Sequence, residues 1–242
     1  MKKKLHLLLA FVLALLWNSG YAQNDVEDRL GSSNDGIKIG VRIGGVLNTF
    51  NHAQPHTGEK TGAAASFLAE KFFSDKFSVQ GELSYLQQGG TYAKYTDNTV
   101  PGDLPYLTMT SSKITAQYAD LAIIAKYQLF QIDDFSFNII AGGAFGYNVG
   151  VINTYERTYY DSRLFYTVDG KQMITHLFEP YQVGALGGIG GKINIGSKQL
   201  IVDLRYRYGL TSAMKEFSYI DLPTVSGDLY TNSFYVMLGF GF

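Results

Sequence analysis

From residue 37 onward, apolar and polar side chains take turns along the chain with a period of two. In the opening segment Ile37, Ile39, Val41, Ile43 and Leu47 alternate with Lys38, Gly40, Arg42 and Gly44. Further on, Phe77, Val79, Leu83 and Tyr85 alternate with Ser78, Gln80, Glu82 and Ser84. Leu200, Val202, Leu204, Tyr206 and Tyr208 fall opposite Asp203, Arg205 and Arg207, and the chain closes with Phe234, Val236, Leu238, Phe240 and Phe242 against Ser233, Tyr235, Gly239 and Gly241. A helix repeats every 3.6 residues and would scatter these sets, whereas a strand puts alternate side chains on opposite faces. The pattern predicts the first, third, seventh and last of eight strands. Noisier runs near Gly62 to Phe73, Thr115 to Leu129, Phe135 to Val149 and Pro180 to Ile195 supply the others. Phe135 to Tyr155 carries no charge over 21 residues, so a transmembrane helix competes there. Gly142, Gly143, Gly146 and Gly150, with Phe135, Phe137 and Ile139 alternating against Ser136 and Asn138, favour the strand.

Period alone does not say which face meets the solvent. A soluble barrel turns its apolar face inward, and a membrane barrel turns it out toward lipid. Connection lengths separate the two. They run long (Asn48 to Thr61), short (Ser74-Asp75), long (Gln88 to Ile114), short (Gln131 to Asp134), long (Val151 to Leu177), short (Gly196 to Lys198) and long (Thr211 to Asn232). Strict alternation fits an outer-membrane barrel, with short periplasmic turns and longer external loops; a soluble lipocalin-like barrel has no need of it. The expected fold is all-β: an eight-stranded antiparallel up-and-down transmembrane β-barrel spanning residues 36–242, both of its ends periplasmic.

The first residues agree. Lys2, Lys3 and Lys4 precede an apolar stretch from Leu5 to Trp17, and Gly20-Tyr21-Ala22 supplies a small-residue cleavage site. This predicts a signal peptide over 1–22, cut after Ala22, because the apolar run is too short for a spanning helix of about 20 residues. Gln23 to Asp35 is polar and reads as a flexible periplasmic lead-in. The chain has no cysteine, which excludes a lipid-anchoring thiol, disulfides and thiolate metal sites. Removing the three signal lysines from 20 basic residues leaves 17 against 21 acidic ones, a net charge near −4 and no footprint for nucleic acid. Abundant glycine (27), tyrosine (18) and phenylalanine (16) suit many strands and aromatic belts.

Four segments resemble the PorT-like family, outer-membrane β-barrels of the porin-family type common in Bacteroidetes. They are Gly40-Val-Arg-Ile-Gly44-Gly45, Tyr118-Ala-Asp-Leu-Ala-Ile-Ile-Ala-Lys126-Tyr127, Asp203-Leu-Arg-Tyr-Arg-Tyr-Gly-Leu210 and the ending Tyr235-Val-Met-Leu-Gly-Phe-Gly-Phe242. The resemblance implies the same fold and location. It also implies, as one alternative, an accessory role in an outer-membrane protein secretion system. Phe240 and Phe242 resemble the terminal aromatic signal read by the barrel-assembly machinery; both also suit the lipid-facing girdle.

The inward positions carry charges of both signs: Lys38, Arg42, Glu70, Glu82, Asp120, Lys126, Lys192, Asp203, Arg205 and Arg207. An eight-stranded barrel has an interior just wide enough for side chains to fill, and an isolated buried ion is very costly. These residues are therefore expected to form a lumen ion-pair network that plugs the barrel, in preference to a narrow pore, a proton relay or an acid–base pair. His52 and His56 have metal-ligand spacing for a helix, but Pro55 lies between them, so no metal is expected. His176 with Ser162 or Asp161 could be grouped as in small-barrel hydrolases or lipid-modifying enzymes, but nothing in the sequence fixes that grouping. The run Gly187-Gly188-Ile-Gly190-Gly191-Lys192 lacks a hydroxyl after the lysine and a following helix, so it reads as strand glycines, not a phosphate loop. Tyr92, Tyr95, Tyr106, Tyr155, Tyr159, Tyr160 and Tyr166 in the long connections suit contact with a protein or glycan, or the outer aromatic belt. The reading is a non-enzymatic outer-membrane barrel without a cofactor, contacting lipid and the assembly machinery, structural or partner-binding through its external loops.

Overall fold

The computed structural model describes residues 36–51, 57–95, 106–161, 164–195, 198–214, 217–219, 222–225 and 229–242. The signal and lead-in expected over 1–35 lie outside them, as do His52, His56 and Ser162. Eight long strands form the wall: β1 (Ile37–Asn51), β2 (Lys60–Phe72), β3 (Phe77–Tyr95), β4 (Tyr106–Ile132), β5 (Phe135–Asp161), β6 (Tyr181–Ile195), β7 (Lys198–Gly209) and β8 (Tyr230–Gly241). Each pairs antiparallel with its neighbour in sequence, and β8 returns to β1 in register from Gly40↔Gly241 to Asn51↔Tyr230. The closed eight-stranded antiparallel barrel expected from the alternation is what forms. Closure satisfies both edges of every strand, which hydrocarbon demands because it offers no hydrogen bonds. The uncharged stretch that could have been a helix lies inside β5.

Side chains sort as the period of two requires. Ile39, Val41, Leu121, Ile123, Phe145, Val183, Leu204 and Val236 point outward and are exposed, while Arg42, Glu70, Glu82, Lys126, Asp203 and Arg205 point inward and are buried. A greasy outside around a charged inside is stable only when the outside is not in water. The apolar band has visible limits. Lys71 and Gln131 bound it at the end carrying the short turns, and Thr61, Lys113 and Thr154 bound it at the loop end. Aromatic residues ring both borders: Phe73, Phe77, Tyr127, Phe130, Phe135 and Phe242 near the turns, with Tyr85, Tyr147, Tyr181, Tyr208 and Phe234 toward the loops. Such girdles sit at the two lipid–water interfaces.

Two details of the ladder matter for the walls. At the turn end, β4 and β5 are joined through Asp133 and Asp134, and Asp133 takes the left-handed region (φ 49°), which aspartate tolerates better than most residues. Val149, toward the loop end, and Leu129, near the turn end, are each skipped by the β4–β5 register, which passes from Gln117↔Gly150 to Tyr118↔Asn148 and from Gln128↔Asn138 to Phe130↔Phe137. The second bulge exposes Leu129 and Phe130 side by side on the lipid face.

The expected connections need correction. Those drawn from Gln88 to Ile114 and from Val151 to Leu177 are largely strand: β3 runs on to Tyr95, β4 starts at Tyr106 and β5 continues to Asp161. Crossing the hydrocarbon takes about 9–11 residues, so 27-residue strands such as β4 and β5 run well past it. Outside lipid a paired ladder still satisfies its backbone, and the threonine and tyrosine content there favours extended structure.

Ile123 sits mid-band and is 66% exposed. Ile123→Arg should cost about 2–4 kcal/mol of folding free energy in phospholipid, read from urea titrations, whereas Thr154→Arg at the border should cost no more than about 1 kcal/mol.

Candidate functional site

Three tiers of charge stack along the lumen. In the middle tier Arg42 of β1 donates to both Asp203 of β7 and Glu82 of β3. Arg205 of β7 completes the ring, with Nη1 2.8 Å from Glu82 Oε2 and Nη2 2.7 Å from Asp203 Oδ2. Glu82 also accepts from Gln80 Nε2 at 2.9 Å and from Ser84 Oγ at 3.0 Å. Above it, toward the loops, Arg207 Nη1 donates to Asp120 Oδ1 at 2.8 Å. Below it, toward the turns, Glu70 accepts from Lys192 Nζ and Ser78 Oγ, both at 2.6 Å, with Lys126 Nζ 3.6 Å from its other oxygen. Among the described residues Lys38 does not join an ion pair of this kind. It is half-buried at the turn-end rim, its ammonium 4.9 Å from the centre of the Phe72 ring.

Glycines make room for these side chains. A Cβ on Gly184 would stand 2.7 Å from Arg207 Nε, and one on Gly146 would stand 2.8 Å from Asp120 Oδ1. Gly190 faces Asp203 and Gly239 faces Arg42 in the same way. The glycine-rich run from Gly187 to Gly191 therefore lies in β6, its backbone in the wall.

The expectation of a polar lumen needs a second correction. Between the charges and the loop end, an apolar cluster enters the interior beside buried polar side chains such as Asn48, Gln88 and Ser233. Val46, Leu86, Ile114, Val151 and Met237 are buried together, and a cap from the loops rests on them. The cap comprises a 3-10 turn at Thr175–Leu177, the following Phe178, and Met214 and Leu229 from the last long connection. Its backbone is tied down: Ile174 N donates to Val151 O at 2.9 Å, Val151 N to Thr175 Oγ1 at 2.9 Å and Ala213 N to Leu229 O at 2.6 Å. Phe178 bridges Met214. Between the apolar layer and the ions lies a cavity of about 20 Å³ touching Glu82, Asp120, Arg205, Tyr235 and Met237, room for about one water. Sequence reasoning missed the cap, although the apolar cluster Ile174, Leu177 and Phe178 inside an otherwise polar connection was its signal.

Beyond the cap, β3, β4 and β5 continue as a sheet, joined by the strand Leu164–Met173, which pairs with β5 from Ile152↔Met173 to Asp161↔Leu164. Among the described residues this strand has no second partner, so its outer edge is open. Tyr159 stacks on Tyr166 at 5.2 Å between centroids, Thr158 and Thr167 share a hydrogen bond of 3.1 Å, and Arg157 lies 4.0 Å over Tyr155. Tyr155, Tyr159 and Tyr160 are thus strand residues, not loop residues. His176 is exposed on the 3-10 turn. Among the described residues no three His, Cys, Asp or Glu side chains group to hold a metal. Phe240 and Phe242 lie exposed on the lipid face, and Phe242 N donates to Ile39 O at 2.8 Å, tying the last residue to β1.

Glu82 is the acceptor for four side chains, so Glu82→Ala leaves two guanidiniums, Arg42 and Arg205, sharing the one carboxylate of Asp203. The loss should be about 3–5 kcal/mol, seen as a lower urea midpoint for the barrel in lipid. Asp75→Ala, at an exposed turn, should shift it far less.

Solved structures of other barrels resemble this one, three of them as follows. Ail of Yersinia pestis, in complex with the heparin analogue sucrose octasulfate, is 9% identical, with 85% of this chain and 99% of that one covered at a TM-score of 0.38. Neisserial surface protein A is 11% identical (85% and 98%, TM-score 0.35), and a major outer membrane protein of Thermus thermophilus is 13% identical (86% and 99%, TM-score 0.40). No curated protein matches. The family described as outer membrane protein beta-barrel domain matches residues 21–215, and the chain belongs to that family.

Proposed function

We propose that the protein is a non-conducting, non-enzymatic surface barrel, whose filled wall anchors a sheet that binds a partner outside the cell. The observation that carries this reading is the open edge of Leu164–Met173. It stands beyond the apolar band with Tyr166 and Val168 exposed. An edge of this kind offers a row of unpaired backbone donors and acceptors, the surface to which extended peptides add as a further strand. The long connections face outward by the rule that periplasmic turns are short. A signal removed after Ala22 delivers the chain to the outer membrane, and Phe240 and Phe242 present the terminal aromatics to the assembly machinery.

The strand motifs shared with PorT-like barrels support a second reading, an accessory component of a secretion machine. There the partner is another machine subunit instead of an extracellular ligand. Co-purification from its own membrane with and without the Leu164–Met173 strand separates the two.

Two outcomes follow. In planar bilayers the wild-type barrel should give no stepwise conductance, because ions, apolar layer and cap fill the lumen in series; discrete openings would overturn the sealed reading. Cells displaying the barrel should lose binding to arrayed peptides and glycans when Leu164–Met173 is deleted and β5 is joined to β6 by a short glycine-serine linker. Unchanged binding with an intact, heat-modifiable barrel would show that the sheet is not the binding part.

A further inference from the structure

We propose that the turn-end mouth of the lumen binds a phosphoryl group, held by Lys126, Lys192 and Lys38. This mouth lies at the opposite end of the barrel from the proposed binding sheet, and among the described residues its charges do not balance. The middle tier pairs two arginines with two carboxylates, and the upper tier pairs Arg207 with Asp120. In the lowest tier the single carboxylate of Glu70 faces Lys126 and Lys192, with Lys38 at the rim.

Lys126 is the decisive member. Its residue is 2% exposed and its Nζ makes no hydrogen bond; the ion pair with Glu70 Oε2 at 3.6 Å is too long for one. The other oxygen of Glu70 is already taken by Lys192 and Ser78. The remaining charged neighbours on facing strands, Asp203 and Arg42, are engaged with each other in the tier above. An ammonium has three protons to donate and a buried one with no acceptor is costly. Lys192 and Lys38 both lie against Phe72, 5.0 and 4.9 Å from its ring centre, so one aromatic ring faces both ammoniums. Lys38 is only half-buried, so it meets solvent at the turn end of the lumen. A phosphoryl group supplies several acceptor oxygens and up to two negative charges, which matches a surplus of two ammonium groups over the single carboxylate.

The test uses the purified barrel in a maltoside detergent, which contributes no phosphate. Thermal unfolding is followed at constant ionic strength while chloride is exchanged for inorganic phosphate, and separately with dihexanoyl phosphatidylglycerol below its micelle concentration. The expected result is a rise in Tm of about 2–4 °C in one or both arms, and the arm that responds names free phosphate or a lipid headgroup as the source. Lys126→Met should abolish the rise, and so should Lys38→Gln, a half-exposed change that keeps the test decisive if the first variant fails to fold. Lys71→Met, on the lipid face at the same end, should leave the rise intact. No rise in either arm, or the same rise in Lys38→Gln as in wild type, overturns the proposal.

Discussion

The structure depends on a constraint imposed by hydrocarbon: no backbone group can be left for water to satisfy. That forces closure, and closure with eight strands leaves an interior with no room for a water column. Once the interior is that narrow, an inward charge is stabilised by a counter-charge brought close to it, for the most part from another strand. Arg42 and Asp203 are 161 residues apart in sequence yet meet in the middle tier. Lys192 reaches Glu70 across 122 residues. The backbone ladder therefore joins each strand to its neighbours, and the ions join strands that are not neighbours. Two interaction types with different ranges hold one cylinder.

A narrow cylinder also explains where the glycines fall. A charged side chain on one strand needs space taken from another, and Gly184, Gly190 and Gly239 give it to Arg207, Asp203 and Arg42. Glycine in a strand ordinarily weakens it through lost packing and added chain entropy. Here the loss is local and the return is the geometry of a buried ion pair, for which a missing partner is far more costly than a missing methyl group. The same logic separates the glycines of β6 from a phosphate loop: their value lies in the absent Cβ, not in donated amides.

Much of this was legible in the sequence. The period of two assigned the faces, and Arg42, Glu82, Asp203, Arg205 and the other inward charges could be read off strand by strand. Partner choice was not legible, because it depends on register and on relative height in the barrel; Lys38 shares a face with Arg42 but stands at the rim and meets Phe72. The bulges at Leu129 and Val149 were also hidden, since a skipped residue looks like noise in an alternating pattern. The cap escaped for a different reason. Ile174, Leu177 and Phe178 belong to a connection, and connections are read as polar and solvated unless their burial is known.

The loop end shows how one pattern serves two solvents. Below the border at Thr154, the outward residues of β5 are Phe145, Tyr147 and Val149; above it they are polar, as Glu156 and Thr158 are. The hydrogen-bond ladder crosses that border unbroken, because pairing satisfies the backbone equally in lipid and in water. What changes is the requirement to close. In hydrocarbon an open edge is excluded, and within the band β5 is covered by β6 from Phe135↔Ile193 to Tyr147↔Tyr181. Past the border β6 has ended, Leu164–Met173 takes its place against β5, and among the described residues the far edge of that strand has no partner. An edge costs little there because water can pair with it, and for the same reason another chain can displace that water. The open edge is thus a direct consequence of strands that outrun the membrane that required their closure.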